Sequence, residues 1–175
     1  NDGGANISYD DGENWFKANT PSVGQFYAIT VDDAKPYNVY GGLQDNGSWW
    51  GPSTHKEDIG WIDNGQYPYK GINGGDGMQA QVDTRDNSTV YSGSQFGVYS
   101  RYNKNTRGSQ KFIRPQHELG EKPLRFNWQT PILLSKHNQD VLFYGSNRLY
   151  RSLNKGDTMI AMSSDLTRGR VSGNV

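Results

Sequence analysis

The sequence predicts an all-β fold assembled from repeated four-stranded antiparallel units. Three observations predict it. Glycine is frequent, at 22 of 175 residues, and it punctuates short segments rich in the 11 tyrosines and 5 tryptophans. Aromatic segments bounded by glycine favour strands. No stretch carries the apolar period of a helix of useful length. A strand–turn–strand signature also recurs at one interval along the chain, which marks a repeat architecture.

The first element is a hairpin around Ser8-Tyr-Asp-Asp-Gly-Glu-Asn-Trp15. Asp10 is a short carboxylate suited to accept backbone N–H groups from the turn it opens. Gly12 supplies the positive φ that a tight hairpin demands. Ser8 ends one strand and can tie its hydroxyl to the turn. Trp15 starts the return strand, with a large apolar face expected to wedge into a core. All four roles are structural.

Three further units follow. Tyr27–Asp32 and Asn38–Gly42 match Met78–Asp83 and Thr89–Gly93, and then Gln129–Ser135 and Val141–Gly145. Asp32, Asp83 and Ser135 are spaced by 51 and 52 residues, as are Tyr40, Tyr91 and Phe143. A third strand is expected near Ser48–Trp50, Gly97–Tyr102 and Arg148–Leu153. A fourth is expected to begin at Trp61, Phe112 and Met159. The last unit carries a worn copy of the opening turn, with Ser152, Asn154, Gly156 and Met159 in place of Ser8, Asp10, Gly12 and Trp15. Asn can cap such a turn as Asp does, and Met fills the wedge less rigidly.

Four antiparallel strands per unit at this period form the pattern of a β-propeller blade. Neither a sandwich nor a β-helix explains the fixed interval. The expected layout is the outer half of a blade at 1–19, then blades at 25–63, 77–114 and 128–162. Residues 163–175 form a tail toward a next blade. This predicts about three and a half blades, a segment of a larger propeller. A four-bladed ring closed by the tail against 1–19 is the alternative.

Composition excludes several functions. There are 18 basic and 18 acidic residues, and zero net charge argues against nucleic-acid binding. The diluted basic turn Lys104–Arg107 reads as a solvated loop. No apolar run is long enough to span a membrane. Cysteine is absent, which removes disulfides, thiolate metal sites and cysteine nucleophiles. His55, His117 and His137 fall in separate loops, so no zinc site is expected. The glycine-rich stretch Gly71–Gly77 lacks the Lys-Ser/Thr ending of a phosphate loop and the spacing of an EF-hand. No metal or other cofactor is expected.

In a propeller, the loops joining second to third strands and one blade to the next emerge on one face, where a rigid scaffold presents sites. The ligand-binding candidates on that face are Gln44, Asp45, Asn46, Trp50, Tyr69, Asp76, Gln95, Arg125 and Asn147. Asp45 and Asp76 are the sharpest pair. Two carboxylates across a cleft are what glycoside hydrolysis requires, and Trp49, Trp50, Trp61 and Tyr69 are aromatic rings that could stack on sugars. The structural reading is that both aspartates sit in Asx-Gly turns and that Trp49 and Trp61 pack between blades.

The Ser8–Trp15 motif reads S-x-D-x-G-x-N-W and resembles the Asp-box, or BNR repeat. Together with Asn1–Gly4, Tyr40–Gly47 and Gly145–Ser152, it resembles large exported bacterial BNR-repeat propellers of glycosyl-hydrolase-like or sortilin-N-terminal-domain-like type. The resemblance covers nearly the whole chain. It implies a secreted or cell-surface location and further blades of the same polypeptide as partners. Sialidases of this architecture carry an Arg-Ile-Pro signature. Phe112-Ile-Arg-Pro115 has those residues in the wrong order, so no catalytic role is carried over. Xyloglucanase-type hydrolases use paired aspartates. The expected function is therefore a non-catalytic binding or scaffold module recognising protein or glycan. The alternative is a glycoside hydrolase using Asp45 and Asp76.

Overall fold

The computed structural model describes residues 5–18, 24–56, 68–106 and 108–167. The predicted strand start at Trp61, Tyr67, Asn1–Gly4 and the tail beyond Thr167 lie outside the described residues. Strands β1 (Ala5–Ile7) and β2 (Phe16–Ala18) pair as an isolated antiparallel hairpin. Three four-stranded antiparallel sheets follow, each with its strands in chain order. Sheet 1 holds β3 (Phe26–Val31), β4 (Asn38–Leu43), β5 (Gly47–Pro52) and β6 (Lys70–Asn73). Sheet 2 holds β7 (Ala80–Val82), β8 (Thr89–Ser94), β9 (Val98–Asn103) and β10 (Lys111–Phe112). Sheet 3 holds β11 (Ile132–Leu134), β12 (Leu142–Gly145), β13 (Leu149–Ser152) and β14 (Ile160–Ala161).

The fold is all-β, with its pairs where the repeat places them. The exception is the fourth strand of sheet 1. It lies at Lys70–Asn73, inside the stretch read from sequence as a crossing loop. The expected start rested on a bulky aromatic, Trp61, at the repeat position. In the observed register Gly71 lies opposite Trp49.

Each first turn is built alike. Asp32 Oδ1 accepts the N–H of Ala34 at 3.2 Å, Asp83 Oδ1 that of Arg85 at 3.0 Å, and Ser135 Oγ that of His137 at 3.3 Å. These side chains close the turn locally, two residues ahead of themselves.

The sheets stack face to face in chain order, with β7 in contact with both β3 and β11. Strand alternation sends Tyr40 from sheet 1 onto Ala80, Val82 and Val90 of sheet 2. The opposite face of sheet 2 carries Tyr91 and Tyr99 onto Ile132, Leu142 and Tyr144 of sheet 3. Tyrosine is unusually prominent in this core, and buried tyrosine normally needs a hydroxyl partner. Tyr99 donates to the Thr130 carbonyl at 2.9 Å, and Tyr144 donates to the Gly97 carbonyl. The two outward faces of the stack stay bare. Ile29, Val31 and Trp49 are exposed on sheet 1, and Leu133, Leu149 and Ile160 on sheet 3.

The two Ser-x-Asx turns are the same object. Ser8 Oγ accepts Gly12 N–H at 2.8 Å, and Asp10 Oδ1 accepts Asn14 N–H at 2.9 Å. Ser152 Oγ accepts Gly156 N–H at 2.8 Å, and Asn154 Oδ1 accepts Thr158 N–H at 2.9 Å. Asp11 and Gly12, like Lys155 and Gly156, hold positive φ. Their surroundings differ. A Cβ on Gly156 would stand 2.9 Å from Ile113, and Met159 packs on the sheet 2–sheet 3 core. The expectation that Trp15 wedges into a core is corrected: it is 66% exposed. Among the described residues its hairpin packs closely on no other strand.

Candidate functional site

The loops at one end of the stack form a closed circuit of contacts. The backbone N–H of Asp45, in the β4–β5 turn, donates to Asp76 Oδ1 at 2.9 Å. The N–H of Asp76 donates to Gln95 Oε1 at 3.1 Å. The next residue, Phe96, donates its N–H to the Trp128 carbonyl at 3.1 Å. Trp128 Nε1 donates to the Tyr27 hydroxyl at 3.2 Å, and that hydroxyl donates to Gln44 Oε1 at 3.1 Å. Gln44 precedes Asp45, so the path returns to its start across all three sheets. Beside it lies a cavity of about 230 Å³ between the first strands, lined by Tyr27, Gln79, Gln129 and Thr130 among others.

Four of the nine candidates, Gln44, Asp45, Asp76 and Gln95, thus come together. Asp45 holds φ 60 in its turn. Asp76 is 8% exposed, and its Oδ1 is committed to the neighbouring turn. This is the geometry of a carboxylate that fixes backbone, though the turn it holds is that of Asp45, 31 residues away, and not one of its own. Asn46 caps the same turn: its amide donates to the Gln44 carbonyl at 3.0 Å, and its own carbonyl accepts Trp49 Nε1 at 2.6 Å.

Arg125 and Asn147 form a second cluster at the β12–β13 turn of sheet 3. Asn147 Oδ1 accepts the Arg125 N–H at 3.0 Å, and its Nδ2 donates to Asp165 at 3.0 Å. The Arg125 guanidinium reaches Asp165 at 2.8 Å and also Thr167. Bonds from Thr167 first, then from Asn147 and Arg125, hold the Asp165 carboxyl well below the usual carboxylate range. Both candidates are occupied in ordering the segment after β14.

Trp50 and Tyr69 are corrected as members of the loop face. Both lie toward the opposite end of sheet 1. Tyr69 covers Gly51 and meets His55 edge-on at 5.9 Å. Trp50 stacks on Tyr40 at 6.1 Å, with the Lys104 ammonium 4.4 Å above its ring. Strand alternation turns Trp50 toward sheet 2, where it packs half-buried against the sheet 1–sheet 2 core.

Lys104 departs from the reading of its turn as solvated, while Asn105 and Thr106 are exposed as that reading expects. Its side chain is 7% exposed; the ammonium donates to the Tyr40 hydroxyl at 2.6 Å and to Asp32 Oδ2 at 3.3 Å. Tyr40 also donates to Asp32 Oδ2, at 2.9 Å. Burial pushes the Asp32 carboxyl up. Hydrogen bonds from Asn38, Tyr40 and Lys104 outweigh that and leave it below its ordinary value. The sequence did hold a signal: Lys155 stands 51 residues on, the interval that separates Asp32 from Asp83. Tyr27, Phe96 and Trp128 were also missed. Tyr27 and Trp128 are 101 residues apart, and no local pattern links them.

Among the described residues, no group of three or more His, Cys, Asp or Glu is placed to hold a metal ion. No helix among them is long and apolar enough to cross a membrane. No protein-family model matches the chain, and no curated protein matches it.

Proposed function

We propose that this chain is part of a β-propeller of Asp-box type that serves as a non-catalytic binding or scaffold module. It recognises a protein or glycan through the loop face that carries Gln44, Asp45, Asp76 and Gln95. The observation that carries the non-catalytic reading is the bond from Asp45 N–H to the buried Asp76 carboxylate. A general acid or nucleophile must present its carboxyl to a substrate, whereas Asp76 presents an oxygen to a turn.

The propeller reading draws support from the face-to-face stacking of three four-stranded sheets along adjacent first strands. The bare apolar outer faces of sheets 1 and 3 support further blades packing on both. Burying an apolar face is worth about 25 cal/mol per Å², so covering such faces is a strong driving force. Export to a secreted or cell-surface location is proposed on the Asp-box resemblance.

The test pairs binding with hydrolysis. The full chain is incubated with a polysaccharide panel, and both retention and reducing-end release are measured. Binding without release is expected, in the parent protein and in Asp45→Asn and Asp76→Asn alike. Sugar release that either substitution abolishes would overturn the non-catalytic reading.

A further inference from the structure

Phe96 sits at φ 58 and ψ 31, a region that bulky side chains avoid. The same place in sheet 1, 51 residues earlier, holds Asp45 at φ 60, and Asp tolerates that conformation. The turn geometry therefore does not select phenylalanine. Observed strain of this kind points toward function. What the position does achieve is to set the ring edge-on to Trp128, at 5.3 Å between centroids and 88° between planes. Phe96 is 50% exposed and Trp128 38% exposed.

Neither ring lines the 230 Å³ cavity itself; Trp128 stands at its rim, next to Gln129 in the chain and bonded through its indole to Tyr27, both of which line it. The cavity is lined by no charged residue. Gln129 is exposed, and its amide makes no hydrogen bond to the described residues. Gln79 uses Oε1 to accept Ile132 N–H at 3.1 Å, which leaves its NH₂ directed to no partner among them. Amides offer both donors and acceptors, and the Tyr27 hydroxyl retains acceptor capacity. The volume falls below the roughly 300–1,000 Å³ of clefts for drug-sized ligands, so the cavity suits one ring.

We propose that this cavity is a binding subsite for a single uncharged pyranose ring of a glycan. The ring's C–H face lies on the Tyr27, Met78 and Pro131 lining, its hydroxyls meet Gln79, Gln129 and Tyr27, and Trp128 stands at the rim beside Gln129. The apolar lining of Tyr27, Met78 and Pro131 gives the ring's C–H groups a contact surface. Neutral amides pair with hydroxyls without the desolvation cost of a buried charge. The proposal rests on the binding-module reading and narrows its ligand to a neutral sugar.

The test titrates the full chain with maltohexaose, cellohexaose and mannohexaose, with sialyllactose as a charged comparator, by tryptophan fluorescence and calorimetry. Saturable binding of a neutral hexaose is expected. Trp128→Ala and Gln129→Ala should each weaken it about tenfold or more, and Trp15→Ala should leave it unchanged. Gln129 is exposed, so its variant keeps the test sound if Trp128→Ala misfolds. No binding by any neutral hexaose, or binding of sialyllactose alone, overturns the proposal. Sugar binding lost in Gln44→Ala but kept in Trp128→Ala and Gln129→Ala removes this subsite and leaves the loop-face module standing. Capture of a protein ligand without sugar binding does the same. Sugar release during the titration would instead strike the non-catalytic reading.

Discussion

The junction between sheets 1 and 2 and the junction between sheets 2 and 3 use the same three repeat positions to opposite effect. At the first, Asp32, Tyr40 and Lys104 close into one buried network. At the second, the equivalents are Asp83, Tyr91 and Lys155. There Lys155 is 37% exposed and stands 3.8 Å from Asp83, and the buried Tyr91 hydroxyl has no hydrogen-bond partner among the described residues. Burial pushes that hydroxyl's pKa up to about 12. Arg85 is one residue that separates the two sites. Arg85 takes Asp83 at 2.6 Å and bridges it to Asp140 at 2.6 Å. The matching position in sheet 1 is Ala34, which cannot compete, so Lys104 is drawn inward. A repeat thus conserves where groups lie, while one side chain decides which of them pair.

The largest break of this comparison is Lys104→Met. Removing one partner of a buried ion pair leaves a buried charge uncompensated, and about 3 kcal/mol of stability should be lost by urea unfolding. The value sits at the low end because Asn38 and Tyr40 still bond Asp32. A loss under about 1 kcal/mol would show that the lock is decorative.

Acid should sharpen the same contrast. The folded pKa of Asp32 lies below its ordinary 3.8. Its contribution is therefore complete above the unfolded value and disappears as pH falls through the folded one. Unfolding scans from pH 5 downward should show a stability drop below about pH 4 that is smaller in Asp32→Asn, the remainder coming from other lowered carboxylates such as Asp165.

Tyr40→Phe and Tyr91→Phe compare the two hydroxyls directly. The first leaves Asp32 and Lys104 short of a partner and should cost about 1–3 kcal/mol. The second removes an unsatisfied group and should be neutral or slightly stabilising by thermal melting. Equal losses would mean that Tyr91 has a partner in solution.

The smallest effect is expected from Lys155→Met, within about 1 kcal/mol of the parent. In an Arg85→Ala background its loss should grow toward that of Lys104→Met, because Lys155 can then close on Asp83 and Tyr91. A double-mutant cycle measures that coupling; no change in the Lys155 effect would disprove the competition.

Much of the strand layout was readable in advance, since pairing at Tyr40, Tyr91 and Phe143 follows local strand–turn–strand chemistry. The site was only half readable. Loop membership identified Gln44, Asp45, Asp76 and Gln95, but Tyr27, Phe96 and Trp128 complete their circuit. Trp50 and Tyr69 were misplaced, because a residue's chain position near a loop does not say which end of the sheet its ring occupies.

What the sequence by itself determined is what a side chain can settle within about four residues of itself. The Ser8 and Ser152 turns form the same bonds despite Asp10 against Asn154 and Trp15 against Met159, because their acceptors and N–H donors are neighbours in the chain. Only the tertiary structure decided the burial of Lys104, the exposure of Trp15 and the meeting of Tyr27 with Trp128. Those outcomes depend on which sheet face meets which, and on whether a competing group such as Arg85 arrives first.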